Sequence, residues 1–387
     1  MKDITVTESI LYVGCDDKDI DLFESQYHVP KGVSYNSYVI LDEKIAVMDT
    51  TDPRVTDEWL SNVEKALDGR EPDYLVINHM EPDHAGNIQK IAEKYPEMKL
   101  VSNAKVFAML PQFFDFDLTD RTVTVKEGET LSLGSHTLQF FLAPMVHWPE
   151  AMVTYEQSEK VLFSADGFGK FGALDAEEEW ADEARRYFIN IVGKYGAQVQ
   201  ALLKKAATLD IAMICPLHGP ILKENLGYYI GKYLTWSSYE PEEEGIVVAC
   251  ASIHGNTRRA MKKFVEILQE KGAKNVVFFD LARDDMAEAI SSAYRYDRLV
   301  LASATYDASL FPCMEDFLYH LKIKNFQKRK VAVVENGSWA PMAGKHMKAY
   351  LENMKDLEIV DPMVTIKSVM NEKNLEELRT LADALLG

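Results

Sequence analysis

The sequence predicts an α/β protein of two domains, the second a doubly wound parallel sheet of five strands. Three observations lead there. A chain of 387 residues exceeds what one ordinary hydrophobic core serves. Strand-like and helix-like periods alternate along nearly all of it. The segment SSYEPEEEG, residues 237–245, interrupts that alternation with proline, an acidic run and glycine. The expected domains are 1–241 and 245–387.

In the first domain the apolar runs SYNSYVI, KIAVMDT and YLVIN read as strands, with a helix over residues 54–67. TVTVKEG, HTLQFFLA, KVLFSAD and IAMIC follow as strands, with helices over 177–192, 197–207 and 226–236. The second domain is more regular. IVVACAS, NVVFF, RLVLAS, VAVVE and IVDPMVTI are strands, each followed by a helix, the helices starting near Thr257, Met286, Phe311, Lys345 and Glu372. Five such pairs in about 140 residues make a sheet of order 2-1-3-4-5. Leu375, Leu378, Leu381 and Leu385 recur at helical spacing and form a core-facing stripe.

Composition narrows the function. A formal charge of −19 repels phosphate backbones, which argues against nucleic acid as a partner. No run approaches the roughly eighteen apolar residues that a membrane span needs. The opening MKDITVTESILYVGCDD has no basic segment followed by an apolar one, so a cytoplasmic location is expected. Cys15, Cys215, Cys250 and Cys313 form no CxxC pair, which disfavours both a disulfide framework and a thiolate metal site.

The densest chemistry lies in YLVINHMEPDHAGN, where His79, Glu81, Asp83 and His84 follow an apolar strand. Pro82 is expected to exclude helix here and leave the four on a loop, bent at the proline, before a helix near Asn87. Alone, such a loop reads equally well as a solvated polar turn. Three later strand ends each add one candidate: His147 in FLAPMVHWPE, Asp166 in VLFSADGFG and His218 in IAMICPLHGPI. Four histidines and three carboxylates exceed one tetrahedral zinc site and suit two metals sharing a bridging carboxylate.

HxExDH followed by single His, Asp and His resembles the metallo-β-lactamase superfamily, whose hydrolytic members usually read HxHxDH. Glu81 stands where their second histidine would be, and a carboxylate there favours iron over zinc. With the second domain, the pattern is similar to the flavodiiron proteins, or A-type flavoproteins. That resemblance implies an αββα first domain in which His79, Glu81 and His147 hold one non-haem iron, Asp83, His84 and His218 the other, and Asp166 bridges them.

In IVVACASIHGNTRRAMKK, Ser252, Ile253, His254, Gly255, Asn256 and Thr257 join a buried strand to a helix, where backbone amides and the helix dipole suit a phosphate. A capping turn would read similarly. The loop resembles the FMN phosphate loop of flavodoxins. Ser303, Ala304, Thr305, Tyr306 and Asp307, and Asn336, Gly337, Ser338 and Trp339, follow the third and fourth strands and meet it at the switch point. Tyr306 or Trp339 is the aromatic expected beside the flavin, and no GxGxxG supports a dinucleotide instead. Of the other histidines, His28, His136, His320 and His346 read as structural or surface groups.

The resemblance implies an oxidoreductase that reduces dioxygen to water, nitric oxide to nitrous oxide, or both, with electrons passing through FMN. It further implies a head-to-tail homodimer or a dimer of dimers, and Tyr195 as a hydrogen-bond donor beside the irons. Because the sequence ends soon after the second domain, an external donor is expected, rubredoxin first and a deazaflavin second, docking near Arg258, Arg259, Lys262 and Lys263. Some relatives carry a histidine just after a phenylalanine near the irons; here Glu24 and Ser25 follow Phe23, which leaves the preferred gas open. The alternatives are a dinuclear zinc hydrolase fused to a flavodoxin-like domain, and a pure electron carrier on an inert metallo-scaffold.

Overall fold

The computed structural model describes residues 4–116, 118 and 120–387. It resolves the chain into two compact units, Met1–Tyr187 with Ala197–Leu234 and Phe188–Gly196 with Thr235–Gly387.

In the first unit one sheet runs Ile10–Tyr12, Tyr38–Ile40, Ala46–Met48, Tyr74–Val76, Lys99–Ser102, Thr122–Thr124. The second runs Thr130–Ser132, Thr137–Leu142, Met152–Glu156, Val161–Phe163, Met213–Cys215. Ile40, Met48 and Val76 share a buried cluster with Phe140, Met152 and Phe163, so the two sheets pack face to face. The other face of the first sheet, through Val39, Val47 and Leu75, meets Trp59 and Val63 of helix Thr56–Leu67 and Ile91 of helix Ile88–Lys94. The strands Tyr38–Ile40, Ala46–Met48 and Tyr74–Val76 are covered on both faces, which is why they read as unbroken apolar runs. On the outer side of the second sheet, Leu162 and Ile214 face Leu203, Leu226 and Ile230. The result is an αββα sandwich of the metallo-β-lactamase type.

The helix expected over 177–192 is divided. Trp180–Tyr187 is α-helical, and Phe188–Val192 widens to π-helix within the second unit. The strands Ile10–Tyr12, Lys99–Ser102 and Thr130–Ser132 are additional to those expected from the sequence.

The second unit is a parallel sheet in the order Val276–Asp280, Glu243–Ala251, Tyr296–Tyr306, Arg329–Asn336, Leu357–Ile366, which is 2-1-3-4-5. Leu378, Leu381 and Leu385 of helix Glu372–Leu386 are buried against it, with Leu375 at the edge of the same cluster. Pairing of Ala251 with Ser303, and of Ala304 with Asn336, places the three strand ends side by side. Among the described residues no helix is long and apolar enough to cross a membrane.

Candidate metal centre

Seven ligand-type side chains converge from the carboxyl ends of four strands. His79 and Glu81 follow Tyr74–Val76; His147 follows Thr137–Leu142; Asp166 follows Val161–Phe163; His218 follows Met213–Cys215. Asp83 and His84 lie on a short helix, Pro82–Ala85, rather than on the loop expected from the sequence. Proline opens that helix at its first position, where no amide hydrogen is needed, so the rule against proline applies to helix interiors and not here. The helical turn separates Asp83 and His84 from His79 and Glu81, and each pair joins a different set.

The first set is His79, Glu81, His147 and Asp166, and the second is Asp83, His84 and His218; within each, one ligand atom per residue lies within 4.8 Å of the others. Glu81 Oε2 is 3.3 Å from His79 Nε2 and 3.0 Å from His147 Nε2. Asp83 Oδ2 is 3.3 Å from His84 Nε2 and 3.2 Å from His218 Nε2. Asp166 serves both sets. Its Oδ2 is 3.3 Å from the Nε2 atoms of His79 and His147, while its Oδ1 is 3.1 Å from His84 Nε2 and 3.8 Å from that of His218. Donors about 2.0–2.2 Å from a shared cation stand about 3–4 Å apart, so these spacings suit two cations with Asp166 between them.

Unpaired atoms support the same reading. Both carboxylate oxygens of Asp83, Oδ2 of Asp166, and Nε2 of His218 are buried without a hydrogen-bond partner. Buried polar atoms are seldom left so unless something outside the protein satisfies them. His84 Nδ1 is also unpaired.

The electrostatics show what the cluster lacks. Burial disfavours a charged His79, yet Asp166 and hydrogen bonds to Glu150 and Glu81 raise its pKa. Burial likewise opposes His147, which Asp166 and Glu81 nonetheless lift to about 9. Asp166 is held well below the usual carboxylate range against burial, first by the charge of His79 and then by hydrogen bonds from His147 and His84. Burial, assisted by the charges of Glu81 and Asp166 against that of His84, pushes Asp83 up to about 7. Protons on His79 and His147 thus balance carboxylates that bound cations would otherwise neutralise.

Neighbouring groups fix the tautomers. The Ser34 carbonyl can only accept, so His218 Nδ1 donates to it at 2.7 Å and Nε2 is left for the site. Glu150 Oε1 accepts from His79 Nδ1 at 2.9 Å and from the Met80 amide at 2.9 Å, which turns His79 Nε2 inward. Asn78 bonds Asp49 through its amide at 2.6 Å and its side chain at 2.7 Å, anchoring the strand exit. Phe23, Tyr35 and Tyr187 set their rings 5.4, 5.9 and 5.4 Å from that of His218.

Sequence reasoning missed Glu150, although it lies three residues after His147 in HWPE. A second tyrosine, Tyr187, also escaped the sequence reading. Tyr195 ends the 3-10 turn Gly193–Tyr195 of the second unit, whereas Tyr187, the last residue of its helix, packs on the ligands. Burial, then the charges of Asp166, Asp83, Glu81 and Glu24, keep the Tyr187 phenol protonated. His28 is exposed, on the strand Tyr27–His28.

At the switch-point end of the second unit, Gly255 caps helix Asn256–Glu270 at φ +88°, and its amide donates to Ser252 Oγ at 3.1 Å. Thr305 Oγ1 accepts the Met342 and Ala343 amides at 2.9 and 3.2 Å. The Asn336 side chain bonds the Ser368 amide and carbonyl, both at 2.9 Å. Ile253, Tyr306 and Trp339 stand exposed at the three loops, Trp339 to 94%. A glycine-capped helix start beside uncovered aromatics suits a phosphate joined to a planar ring. His254 is exposed on the same loop.

The comparisons agree with this geometry. Residues 33–219 match the family model described as ODP family beta lactamase. The rubredoxin oxygen:oxidoreductase of Desulfovibrio gigas superposes with TM-score 0.91 at 25% identity, covering 99% of this chain and 97% of that one. The flavodiiron protein of Giardia intestinalis does so with TM-score 0.92 at 26% identity, covering 99% and 96%. An uncharacterized protein of Methanocaldococcus jannaschii is 28% identical over 97% of this chain and 95% of its own. The anaerobic nitric oxide reductase flavorubredoxin of Vibrio vulnificus is 28% identical over 87% of this chain and 70% of its own. Fold and site together define a metallo-β-lactamase-like protein with a buried two-metal ligand set, joined to a flavodoxin-like domain. Over nearly its whole length the chain is similar to solved flavodiiron proteins and, in its first domain, to the ODP family beta lactamase model.

Proposed function

We propose that this protein is an oxidoreductase that reduces dioxygen to water, nitric oxide to nitrous oxide, or both, at a pair of non-haem irons supplied with electrons through FMN. The observation that carries the reading is the bridging posture of Asp166, one oxygen toward each ligand set. His79, Glu81 and His147 would hold one iron, and Asp83, His84 and His218 the other. Two adjacent ferrous ions supply the electrons and open positions for a diatomic gas. The protein's own part is to exclude water behind Phe23 and Tyr187, to fix each imidazole through Ser34 and Glu150, and to offer the Tyr187 phenol as a donor in the role expected of Tyr195.

FMN would lie against Ser252, Ile253, His254, Gly255, Asn256 and Thr257, with Ser303–Asp307 and Asn336–Trp339 around its ring, residues 245–387 forming the flavin domain and residues 1–241 the diiron domain. The names of the relatives support the substrates, and that of the Desulfovibrio protein supports rubredoxin as external donor. A head-to-tail homodimer or a dimer of dimers in the cytoplasm completes the proposal.

Metal and flavin analysis followed by anaerobic rapid mixing of the reduced protein with each gas tests it. Two irons and one FMN per chain, with gas-dependent reoxidation, are expected. Two zincs and lactam or thioester hydrolysis would establish the hydrolase alternative instead.

A further inference from the structure

A cavity of about 370 Å³ opens over the ligands, and Glu81 and Asp83, one from each set, form part of its wall. Tyr35, Arg54, Glu24 and Ser25 also line it. Glu24 and Ser25 join the strands Leu22–Phe23 and Tyr27–His28 at φ +48° and +57°, a conformation uncommon for such residues. Tyr35 is 1% exposed, and its ring packs edge-on against His218. Buried tyrosines normally find a hydrogen-bond partner. Tyr12 and Tyr38 do, donating to Asn36 Oδ1 at 3.0 Å and to the Pro216 carbonyl at 2.9 Å. The Tyr35 hydroxyl has none among the described residues. Tyr35 shares the wall of this cavity with Asp52 and with the ligand Asp83. Arg54, also on the wall, is occupied by Asp17 Oδ2 at 2.5 Å.

We propose that the Tyr35 hydroxyl donates a hydrogen bond to the small neutral ligand that enters through this cavity and is held on the Asp83 and His218 side of the metal pair. The inference rests on the reading under Proposed function. Tyr35 is a ligand-binding donor independent of Tyr187, which reaches the cluster from helix Trp180–Tyr187. No bond is made or broken by Tyr35: its proton is shared with the ligand and kept.

Nitric oxide is the probe. It is added anaerobically to the iron-loaded, reduced full-length protein, and the N–O stretch is recorded by infrared spectroscopy in H2O and D2O. Tyr35→Phe keeps the ring on His218 and removes only the hydroxyl. It is expected to move the N–O stretch, to diminish the change seen between H2O and D2O, and to weaken nitric oxide binding roughly fivefold, the worth of one ordinary hydrogen bond. Tyr38→Phe, which also deletes a buried hydroxyl but not one on this cavity, is the control and should leave the spectrum as in the wild type. A Tyr35→Phe spectrum that matches the wild type in both solvents, at equal iron content, overturns the inference alone. Absence of any N–O band from wild-type protein carrying two irons overturns the functional reading and the inference with it.

Discussion

Glu150 Oε1 lies 2.9 Å from His79 Nδ1, with both side chains wholly buried. The carboxylate holds the imidazole in the tautomer that presents Nε2 to the first ligand set, and it also accepts the Met80 amide. Glu150→Gln keeps the shape but removes the charge that orients and polarises the ring. Metal affinity at that site should fall about 10–100-fold, the usual consequence of losing such a partner. Competition with a chelator, followed by iron quantitation, checks it.

Asp166 is shared, so its loss should be felt at both positions. Asp166→Asn is neutral and retains one oxygen, so it cannot bridge as a two-oxygen carboxylate does. Iron is expected to fall from two per chain to one or fewer, while far-ultraviolet circular dichroism stays unchanged, because Asp166 anchors no strand. Retention of two irons with unaltered magnetic coupling would show that Asp166 is not the bridge.

Much of this centre was legible because a strand that is buried on both faces announces itself as an apolar run, and the ligand follows within a few residues. His147, Asp166 and His218 were found that way. Geometry that depends on a turn was not legible. Pro82 looked like a bar to helix, and only the structure shows it as a helix start that sends Asp83 and His84 to a separate set. Glu150, Tyr35 and Tyr187 carry no spacing signal, since their role comes from contacts with residues distant in sequence. The flavodoxin-like sheet was the easier half: each of its strands pairs in parallel over several residues, so its periods are long enough to read.

Far from the ligands in sequence, Asp42 Oδ2 accepts the His136 amide at 2.6 Å and His136 Nδ1 at 2.8 Å. Burial alone would raise the Asp42 pKa, but these bonds, with others from Glu43 and Ser135, hold it well below the usual carboxylate range. A depressed carboxylate stabilises the fold at pH above its unfolded value, near 4, and that contribution fades as pH falls through the native value. Asp42→Asn should therefore lower Tm by several degrees at pH 7, consistent with losing roughly 2 kcal/mol of charged hydrogen bonding. The gap from wild type should narrow below about pH 4. Melting curves of both proteins between pH 7 and 3 decide it; a gap that widens in acid would mean that Asp42 is not the group responsible.

Gly255 tests the flavin loop without touching its side chains. At φ +88° a Cβ is strained, though space exists, since the nearest atom would be the flexible Arg259 Nη1 at 3.2 Å. In Gly255→Ala the flavin-free loop is expected to relax toward negative φ, and binding must then restore the strained form at a cost on the order of 1 kcal/mol or more. FMN affinity should drop roughly fivefold to tenfold, read by the recovery of flavin fluorescence on dilution. Iron content should stay at the wild-type value, because the metal ligands belong to the other unit. Unchanged flavin affinity would mean that this loop does not have to keep its left-handed turn to hold a phosphate.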